Sequence, residues 1–545
     1  MAPPGVVAAP PYPGYPPPLP PRPSVWSRRW PGPVGPAHRA VLATVAGAAV
    51  VSAVSIPLTR AGVGWLVAVV AGTVALGTAV WSASHSGPGT ARSRPDATGA
   101  PGRAGEPDTP GEAGGGRSRW RRVGATRLFW AAATVALVGA GTIRAAGWLF
   151  VLCLLTAGVT ACLATADGRS VRGLLLSGLI PPAAVFRSLP WAARGLRAGG
   201  RVGASAWRGV LTAAVSIVLL IVFGSLFASA DGVFADLVGD LLPELSGATV
   251  VRWIFVGGLV GAGLLGGAYV LVAPPELGGL DGPARRRLRR AEWAVPVALL
   301  DLLFAAFVLV QLTVLFGGSA HVLRTSGLTY AEYARSGFWQ LLAVSALTLL
   351  VLAAAARWAP RAHRADRLLV RLLLGGLALL SLVVVASALY RMNVYAQAYG
   401  ATRLRLLVAA CEIWLGLVFV LVLVAGVRLR GAWVPRLVLG TAVLVLLGLV
   451  ALNPDRLIAD RNVDRYAETG RIDLRYLSGL SADAAPAIDR LPEPDRGCAL
   501  GYIAYQLDRR PDDWREYNLG RERARRLIEA RPVRPDRYLC GEGTR

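Results

Sequence analysis

Long apolar runs separated by short polar segments dominate the chain. The runs lie at residues 40–58, 61–83, 124–142, 145–167, 209–230, 250–273, 293–316, 337–357, 369–390, 404–427 and 435–453. Most are close to the roughly 20 residues that a helix needs to cross a bilayer. The pattern therefore predicts an all-α fold: a polytopic transmembrane bundle of about eleven helices, followed by a small helical extracytoplasmic domain.

The polar segments suggest five domains. Residues 1–36 are proline-rich and residues 84–122 are rich in Gly, Pro and Arg, so both are predicted to be disordered, the first as a cytoplasmic arm. Two spans lie between them at 37–83, the main bundle occupies 123–453, and 454–545 forms a tail. Within the bundle, arginines alternate with apolar residues over 168–208, which predicts helices lying in the membrane interface, broken at Pro181-Pro182 and Pro190.

Composition supports a membrane protein over a nucleic-acid-binding one. Hydrophobic residues make up 54% of the chain, and the 58 basic residues are all arginine. Although the net charge is +25, most arginines flank apolar runs, where basic residues set topology. The expected partner is therefore the lipid bilayer and not nucleic acid. The heavy use of Ala, Arg, Gly and Pro indicates a high-GC bacterial genome, and hence a bacterial plasma membrane.

The distribution of arginine also predicts the orientation. Arginines are concentrated in the arm, the 84–122 linker and the segments at 274–292, 358–368 and 428–434, which are alternate connections. By the positive-inside rule these lie in the cytoplasm. With eleven spans, the N-terminus is then cytoplasmic and the tail is extracytoplasmic.

Two polar segments on the predicted outside face carry tyrosines and arginines. A capping box, Thr329 to Glu332, begins one of them. The other, Tyr390–Arg405, joins two spans and places three arginines against the orientation rule. These arginines either contact lipid headgroups beside an aromatic belt or pair with acids of the outside loops or tail. The candidate outer-face cluster for an unidentified protein or lipid ligand is Tyr330, Glu332, Tyr333, Arg335, Arg391, Tyr395, Tyr399, Arg403 and Arg405.

Four polar side chains lie inside predicted spans, where they are costly: Asp301, Gln311, Gln340 and Glu412. Gln311, Gln340 and Glu412 are expected to converge beneath the outer-face cluster. One interpretation is interhelical hydrogen bonding that fixes the bundle. The other is a vestibule for a ligand or a proton.

The tail is predicted to dock on the outer mouth of the bundle. It holds 18 arginines and 17 acids, so its charge is nearly balanced, and about 90 residues is small for an independent core. Cys498 and Cys540 lie in it, and an extracytoplasmic location predicts a disulfide between them, with two free thiols as the alternative.

No catalytic constellation, metal-ligand set or cofactor motif is visible. The four histidines are scattered, and the absence of lysine excludes a P-loop, a Schiff-base lysine and an S-x-x-K nucleophile. We therefore expect a non-enzymatic sensing, binding or scaffold protein. The alternatives are a transporter or lipid-handling protein using Asp301 and Glu412, and a membrane enzyme acting on a lipid-linked substrate.

Several motifs resemble a bacterial polytopic membrane family known as domain of unknown function 4153/4173. They are TYAEYARSGF at 329–338, YAQAYGATRLR at 395–405, and NVDRY, GRID and LSADAAP at 462–466, 470–473 and 480–486. The similarity spans roughly 210–500. It implies a membrane-protein fold and carries no known activity.

Overall fold

The computed structural model describes residues 29–85, 113–166, 168, 170–198, scattered positions of 212–232, 247–277, 288–326, 338–429 and 431–533. Most of the predicted arm and linker, and the segment holding Tyr330, Glu332, Tyr333 and Arg335, lie outside these residues. The described residues form helices and turns without a strand, which confirms the all-α prediction.

Eleven long helices are described before the tail. They are α1 (Arg39–Ser55), α2 (Val63–His85), α3 (Ala113–Ile143), α4 (Gly147–Ala166), α5 (Val171–Arg197), α6 (Gly247–Val272), α7 (Arg290–Ser326), α8 (Phe338–Trp358), α9 (Arg364–Tyr399), α10 (Arg403–Arg428) and α11 (Val434–Leu452). Within the described residues, ten of them are long and apolar enough to cross a membrane, and α1 is shorter at 17 residues. The predicted span at 209–230 lies largely outside the described residues, so the count of eleven spans stays a prediction.

Contacts between helices show which ends lie together. Thr44 near the start of α1 is hydrogen-bonded to Thr78 near the end of α2, at 2.8 Å. Gly257 in the first half of α6 faces Ala53 near the end of α1. One end of the bundle, here called the tail end, bears residues 56–62, 144–146, 400–402 and 453. The opposite end bears residues 37, 168, 273–277 and 359–363.

α5 runs across the opposite end of the bundle. Near its start, Ser177 accepts a hydrogen bond from the Gly168 N–H at 3.0 Å, and near its end Gly195 packs against Ala37. Ser177 and Gly195 are about 27 Å apart along α5. Their partners, Gly168 and Ala37, nevertheless both lie at the end of the bundle opposite the tail. Although α5 is long and apolar enough to span, its contacts favour the interfacial placement predicted from the sequence.

The predicted break of this segment at its prolines is wrong. Pro181, Pro182 and Pro190 all lie inside the continuous helix α5. Proline removes a backbone donor and favours a kink, but tertiary packing of one helix face outweighs local propensity. The residues that α5 buries recur every three or four positions and pack against α6 and the segment before α1; they include Ile180, Ala184, Ser188, Trp191 and Gly195.

The bundle has two halves with separate apolar cores. Helices α7–α10 share a core that includes Leu377 and Phe419, whereas α1–α6 pack around other clusters, such as the one containing Leu137 and Leu149. α11 packs against α10 and adds Val443 to the cluster of α3 and α4. It therefore links the two halves.

α9 extends beyond its apolar run. Its 36 residues correspond to about 54 Å of helix, and it continues through Tyr390 and Tyr395 to Tyr399. The stretch predicted as an outside loop is therefore mostly helix, and only Gly400, Ala401 and Thr402 form the turn into α10. In this extension Met392 is buried, whereas Asn393 and Tyr399 are exposed.

The tail is a compact set of short helices on the tail end. They are α12 (Pro454–Thr469), α13 (Leu474–Ser478), α14 (Ala485–Ile488), α15 (Asp495–Arg509) and α16 (Leu519–Ala530). Gly470, at a φ of 67°, ends α12, and Asp473 caps α13 by accepting from the Tyr476 N–H at 2.8 Å. Glycine just after a helix and aspartate just before one are the residue types that ordinarily mark helix limits. Buried Ile458, Leu477, Ile488 and Leu500 belong to the tail's own apolar core.

A matched pair of glycines tests the placement of α5. A Cβ at Gly266 of α6 would lie 2.8 Å from the carbonyl oxygen of Pro181, whereas one at Gly263 would meet nothing within 4 Å. We expect Gly266→Ala to destabilise the bundle by about 1–3 kcal/mol through overpacking. We expect Gly263→Ala to be neutral or slightly stabilising, because alanine favours helix. Thermal unfolding of the detergent-solubilised variants measures both, and equal melting temperatures would contradict the α5–α6 contact.

Candidate functional site

The carboxylate of Asp455 joins the tail to both halves of the bundle. Its Oδ1 accepts from Trp148 Nε1 of α4 at 3.2 Å and from Arg403 Nε of α10 at 2.9 Å. Its Oδ2 accepts from a second Arg403 nitrogen at 2.6 Å and from the Ser481 N–H of the tail at 2.9 Å. The paired Arg403 also donates its backbone N–H to the Tyr476 hydroxyl, at 2.7 Å. A charge with 0% exposure is therefore satisfied from three parts of the chain.

The environment of Asp455 favours its ionised form. Burial raises the pKa, but the hydrogen bonds and charge of Arg403, together with the Ser481 N–H, outweigh it and leave the pKa below its ordinary value. Because the folded-state pKa is lowered, the resulting stabilisation is fully present above the ordinary carboxyl pKa of about 4. It is lost as the pH falls through the lowered pKa.

Two further tail residues hold the connection between α3 and α4. Asp483 accepts from the N–H groups of Ala145 and Ala146, at 2.7 and 3.2 Å, and so places a carboxylate at the N-terminus of α4. Burial raises the pKa of Asp483, and these N–H donors and Arg144 only partly offset it. Buried Asn518 donates to the carbonyls of Gly141 and Arg144, both at 2.8 Å. The tail thus caps the end of one span and the start of the next.

The tail also holds the connection between α1 and α2. Arg521 forms an ion pair with Asp512 at 2.9 Å and donates to the Ala61 carbonyl at 3.0 Å. The Val63 N–H, at the start of α2, donates to the Tyr517 carbonyl at 3.0 Å. These are backbone groups at helix ends that lack intrahelical partners.

The third connection, between α9 and α10, fits against α12. Asn462 accepts from the Ala401 N–H and donates to the Ala401 carbonyl, both at 2.9 Å. Gly400 has a φ of 85°, and a Cβ there would lie 2.6 Å from the Asn462 oxygen. Glycine is therefore required both by the backbone conformation and by the tail. Residues 400–403, the GATR segment, therefore form a surface on which α12 of the tail packs.

The structure separates the predicted outer-face residues into different contacts. Arg403 forms the ion pair with Asp455, which was one of the two predicted interpretations. Arg405 donates to the Gly400 carbonyl and lies over the Tyr395 ring at 4.2 Å, and Tyr395 contacts Tyr399 with ring centroids 5.0 Å apart. Arg391 donates to Gln311 Oε1 at 2.7 Å, inside the bundle. The other predicted members, Tyr330, Glu332, Tyr333 and Arg335, lie outside the described residues.

A small pocket of about 90 Å³ lies where α9, α10 and α12 meet. Its apolar lining residues, here called the floor, are Leu389, Met392, Ala396, Ala401, Leu406, Ala409, Leu457 and Ile458, and its polar lining residues, here called the rim, are Asn393, Thr402, Arg405 and Arg461. Asn393 and Arg461 are exposed, so the pocket opens to the surface at the tail end.

The intramembrane polar residues do not form a single cluster. Buried Gln311 accepts from Arg391 and from Ser387 Oγ, whereas Gln340 is exposed on α8 and does not join it. Glu412 is 2% exposed, and neither of its carboxylate oxygens has a hydrogen-bond donor among the described residues. Asp301 faces Gly376 of α9, and its buried Oδ1 is likewise without a donor in the described part of the chain.

Cys498 is disulfide-bonded. Its predicted partner, Cys540, lies outside the described residues, so their pairing stays a prediction.

Across the described ranges, no three His, Cys, Asp or Glu side chains come together in a way that could hold a metal ion. The contacts by which the tail holds the bundle, here called the junction, are those of Asp455, Asn462, Asp483, Asn518 and Arg521, and they form a directional set of hydrogen bonds between tail and helices.

Asp455, Asp483 and Asn518 are central to the junction, and the sequence analysis assigned no role to any of them, although Asp483 lies in the LSADAAP motif. Each stands next to a helix start, where Asp and Asn are ordinarily interpreted as local caps. Asn518 does cap α16 through the Arg521 N–H at 3.1 Å, but its amide group serves α3 at the same time. The sequence did contain one indication of this role, namely three such residues in a tail that was already expected to dock on the bundle.

Comparison with known proteins gives one match. A family model described as "Domain of unknown function (DUF4153)" matches residues 132–491, which confirms the resemblance carried by the motifs. The match begins at residue 132, earlier than the motifs indicated. It includes Trp148, Arg403, Asp455 and Asp483. No curated protein and no solved structure matches the chain.

Removing the charge of Asp455 should release the tail. Asp455→Asn leaves Arg403 without its carboxylate, and breaking one side of a buried pair costs about 3 kcal/mol or more. We expect a lower melting temperature and faster protease cleavage of the tail at pH 7, with the difference from wild type shrinking below about pH 4.

Asp460→Asn is the matched control for this change. Asp460 lies on the same helix and forms exposed ion pairs with Arg456 and Arg490. Such pairs contribute only about 0–1 kcal/mol, so this variant should behave like wild type. If the two variants were equally stable, the buried Asp455 pair would not be what holds the tail.

Glu412→Gln should have the opposite effect on stability. A buried carboxylate without donors is costly, and the isosteric amide is neutral. We expect the melting temperature to rise, whereas Glu468→Gln, at an exposed position of α12, should not change it. A fall in the melting temperature of Glu412→Gln would show that the carboxylate has a partner, such as a bound cation.

Proposed function

The chain belongs to the family of the domain of unknown function DUF4153, and we propose that it is a non-enzymatic sensing, binding or scaffold protein of the bacterial plasma membrane. Its working face is the tail end of the bundle. The observation that carries this proposal is the junction itself, where the Asp455 carboxylate bonds α4, α10 and the tail at once.

The junction supports a role in coupling. All three helix connections described at the tail end, at 56–62, 144–146 and 400–402, are held by tail side chains or backbone. A ligand or partner that shifts the tail would therefore act on helices of both halves. Conversely, a shift of the helices would change the surface that the tail presents. This is the behaviour expected of a sensor or scaffold rather than of a catalyst.

Two observations support an extracytoplasmic tail end. The opposite end carries arginines in short connections, among them Arg289, Arg361, Arg364 and Arg428, and also those of α5. Such arginines favour the cytoplasmic side. The disulfide at Cys498 favours an oxidising compartment for the tail.

A second candidate function is a transporter or lipid-handling protein. It is favoured by the lack of described donors to the buried Glu412 and to Asp301 Oδ1 in helices long enough to span the membrane. Charged side chains at such depth frequently line ion or proton pathways. Here Glu412→Gln would abolish substrate flux while leaving the protein folded, which distinguishes the two candidates.

The orientation can be tested by labelling with a membrane-impermeant maleimide. Arg475→Cys places a thiol at an exposed position of α13, and Ala362→Cys places one at an exposed position of the opposite end. In intact cells or spheroplasts we expect labelling of Arg475→Cys only, because the reagent does not reach the cytoplasm. Permeabilisation should then expose Ala362→Cys.

The unsubstituted protein gives the background of the native cysteines. Labelling of Ala362→Cys but not Arg475→Cys before permeabilisation would reverse the orientation and reject an extracytoplasmic working face.

A further inference from the structure

The pocket between α9, α10 and α12 combines an apolar floor with a cationic rim. Residues 389, 392 and 396 follow one face of α9, residues 405, 406 and 409 follow one face of α10, and Thr402 is the N-cap of α10. Leu457, Ile458 and Arg461 come from α12, the first helix of the tail. The tail therefore completes the pocket, and any molecule in it contacts tail and bundle together.

The two arginines are suited to an anionic group. Arg405 is held in place by the Gly400 carbonyl and the Tyr395 ring, and its guanidinium has five N–H donors, more than these contacts use. Arg461 is exposed and forms no ion pair among the described residues. The acids beside it on α12, Asp460 and Asp464, are both paired with Arg490. Planar guanidinium groups bind phosphate oxygens in pairs of parallel hydrogen bonds.

The pocket lies at the level where the apolar spans end. α10 begins at Arg403, α11 ends at Leu452, and the apolar run of α9 gives way to polar residues after Tyr390. This is the depth at which hydrocarbon meets headgroups, where arginine and tyrosine are favoured in membrane proteins. The floor formed by Leu389, Met392 and Leu406 is then next to acyl chains, while Arg461 is next to headgroups.

We propose that this pocket binds the headgroup of an anionic phospholipid from the leaflet on the tail side. The phosphate contacts Arg405 and Arg461, Asn393 and Thr402 add polar contacts, and the glycerol end of the acyl chains covers the apolar floor. A small pocket suits this mode, because only the headgroup region enters and the chains stay in the bilayer. The inference deepens the proposed function by naming the ligand class at the working face.

The apolar floor distinguishes a lipid from a free anion. A soluble phosphate would contact the arginines alone and make no use of the apolar side chains that line the pocket, Leu389, Met392, Leu406 and Ala409. A phospholipid uses both parts. Binding would also strengthen tail docking, since Arg461 belongs to the tail and Arg405 to the bundle.

Native mass spectrometry of the full-length protein in detergent, titrated with phosphatidylglycerol or phosphatidylcholine, tests the proposal. Wild type should bind phosphatidylglycerol more tightly than phosphatidylcholine, and Arg461→Gln should weaken phosphatidylglycerol binding by about tenfold or more. Arg456→Gln makes the same charge change at an exposed position on another face of α12 and should bind like wild type. Ala409→Leu, which fills the floor and keeps every charge, should also weaken binding.

Thermal unfolding of the same samples provides a second readout. Phosphatidylglycerol should raise the melting temperature of wild type and Arg456→Gln but not of Arg461→Gln. Equal binding by Arg461→Gln and Arg456→Gln would overturn the site. Competition by millimolar inorganic phosphate or glycerol phosphate, with Ala409→Leu unaffected, would overturn the lipid and identify a free-anion site.

The experiments can reject the lipid site and the orientation independently of each other. Lost lipid selectivity with an extracytoplasmic tail leaves the proposed function in place. Lipid selectivity with a cytoplasmic tail rejects the proposed working face and moves the bound lipid to the inner leaflet.

Discussion

The ion pair of Asp455 and Arg403 is the constraint on which the arrangement of tail and bundle depends. Asp455 has 0% exposure, so its charge has to be compensated within the protein. The compensation comes from four donor groups: Trp148 Nε1 of α4, two side-chain nitrogens of Arg403 in α10 and the Ser481 N–H of the tail. A buried pair of this kind need not add much net stability, but it is costly to break. It therefore penalises any other register of the tail on the helices.

The other junction contacts meet the same requirement as those of Asp455, which is that polar groups removed from water need hydrogen-bond partners. Each helix end has backbone groups without intrahelical partners, and at the tail end tail side chains lie within hydrogen-bond distance of them. Asp483, Asn518 and Asn462 bond these groups, and Arg521 bonds a further carbonyl. Short connections at this end are thus compatible with burial because the tail supplies the missing partners. The tail and the connections depend on each other for their structure.

The sequence predicted much of the fold and less of the site, for physical reasons. Helix length and apolar content report the spans directly, and Gly470 and Asp473 mark local helix ends in the tail. α5 was mispredicted at its prolines because packing of Ile180, Ala184 and Trp191 outweighs a local preference. The stretch at 390–399, predicted as an outside loop, is helical because α9 continues beyond its apolar run. The roles of Asp455, Asp483 and Asn518 could not be predicted, because a local cap and a long-range cap use the same residue types.

Two buried carboxylates of this chain show why burial alone does not identify a functional site. Asp455 and Glu412 have almost the same exposure, 0% and 2%. Asp455 has donors for both oxygens and links parts of the chain that are distant in sequence, so its position is explained by structure. Glu412 lies one helical turn below Ala409 at the floor of the pocket and has no described donor. A group whose burial the fold does not compensate is the better candidate for a role that the fold alone does not require. The polar segment Tyr390–Arg405 therefore divides into a structural part, Gly400 to Arg403, and a part around Arg405 that faces the pocket above Glu412.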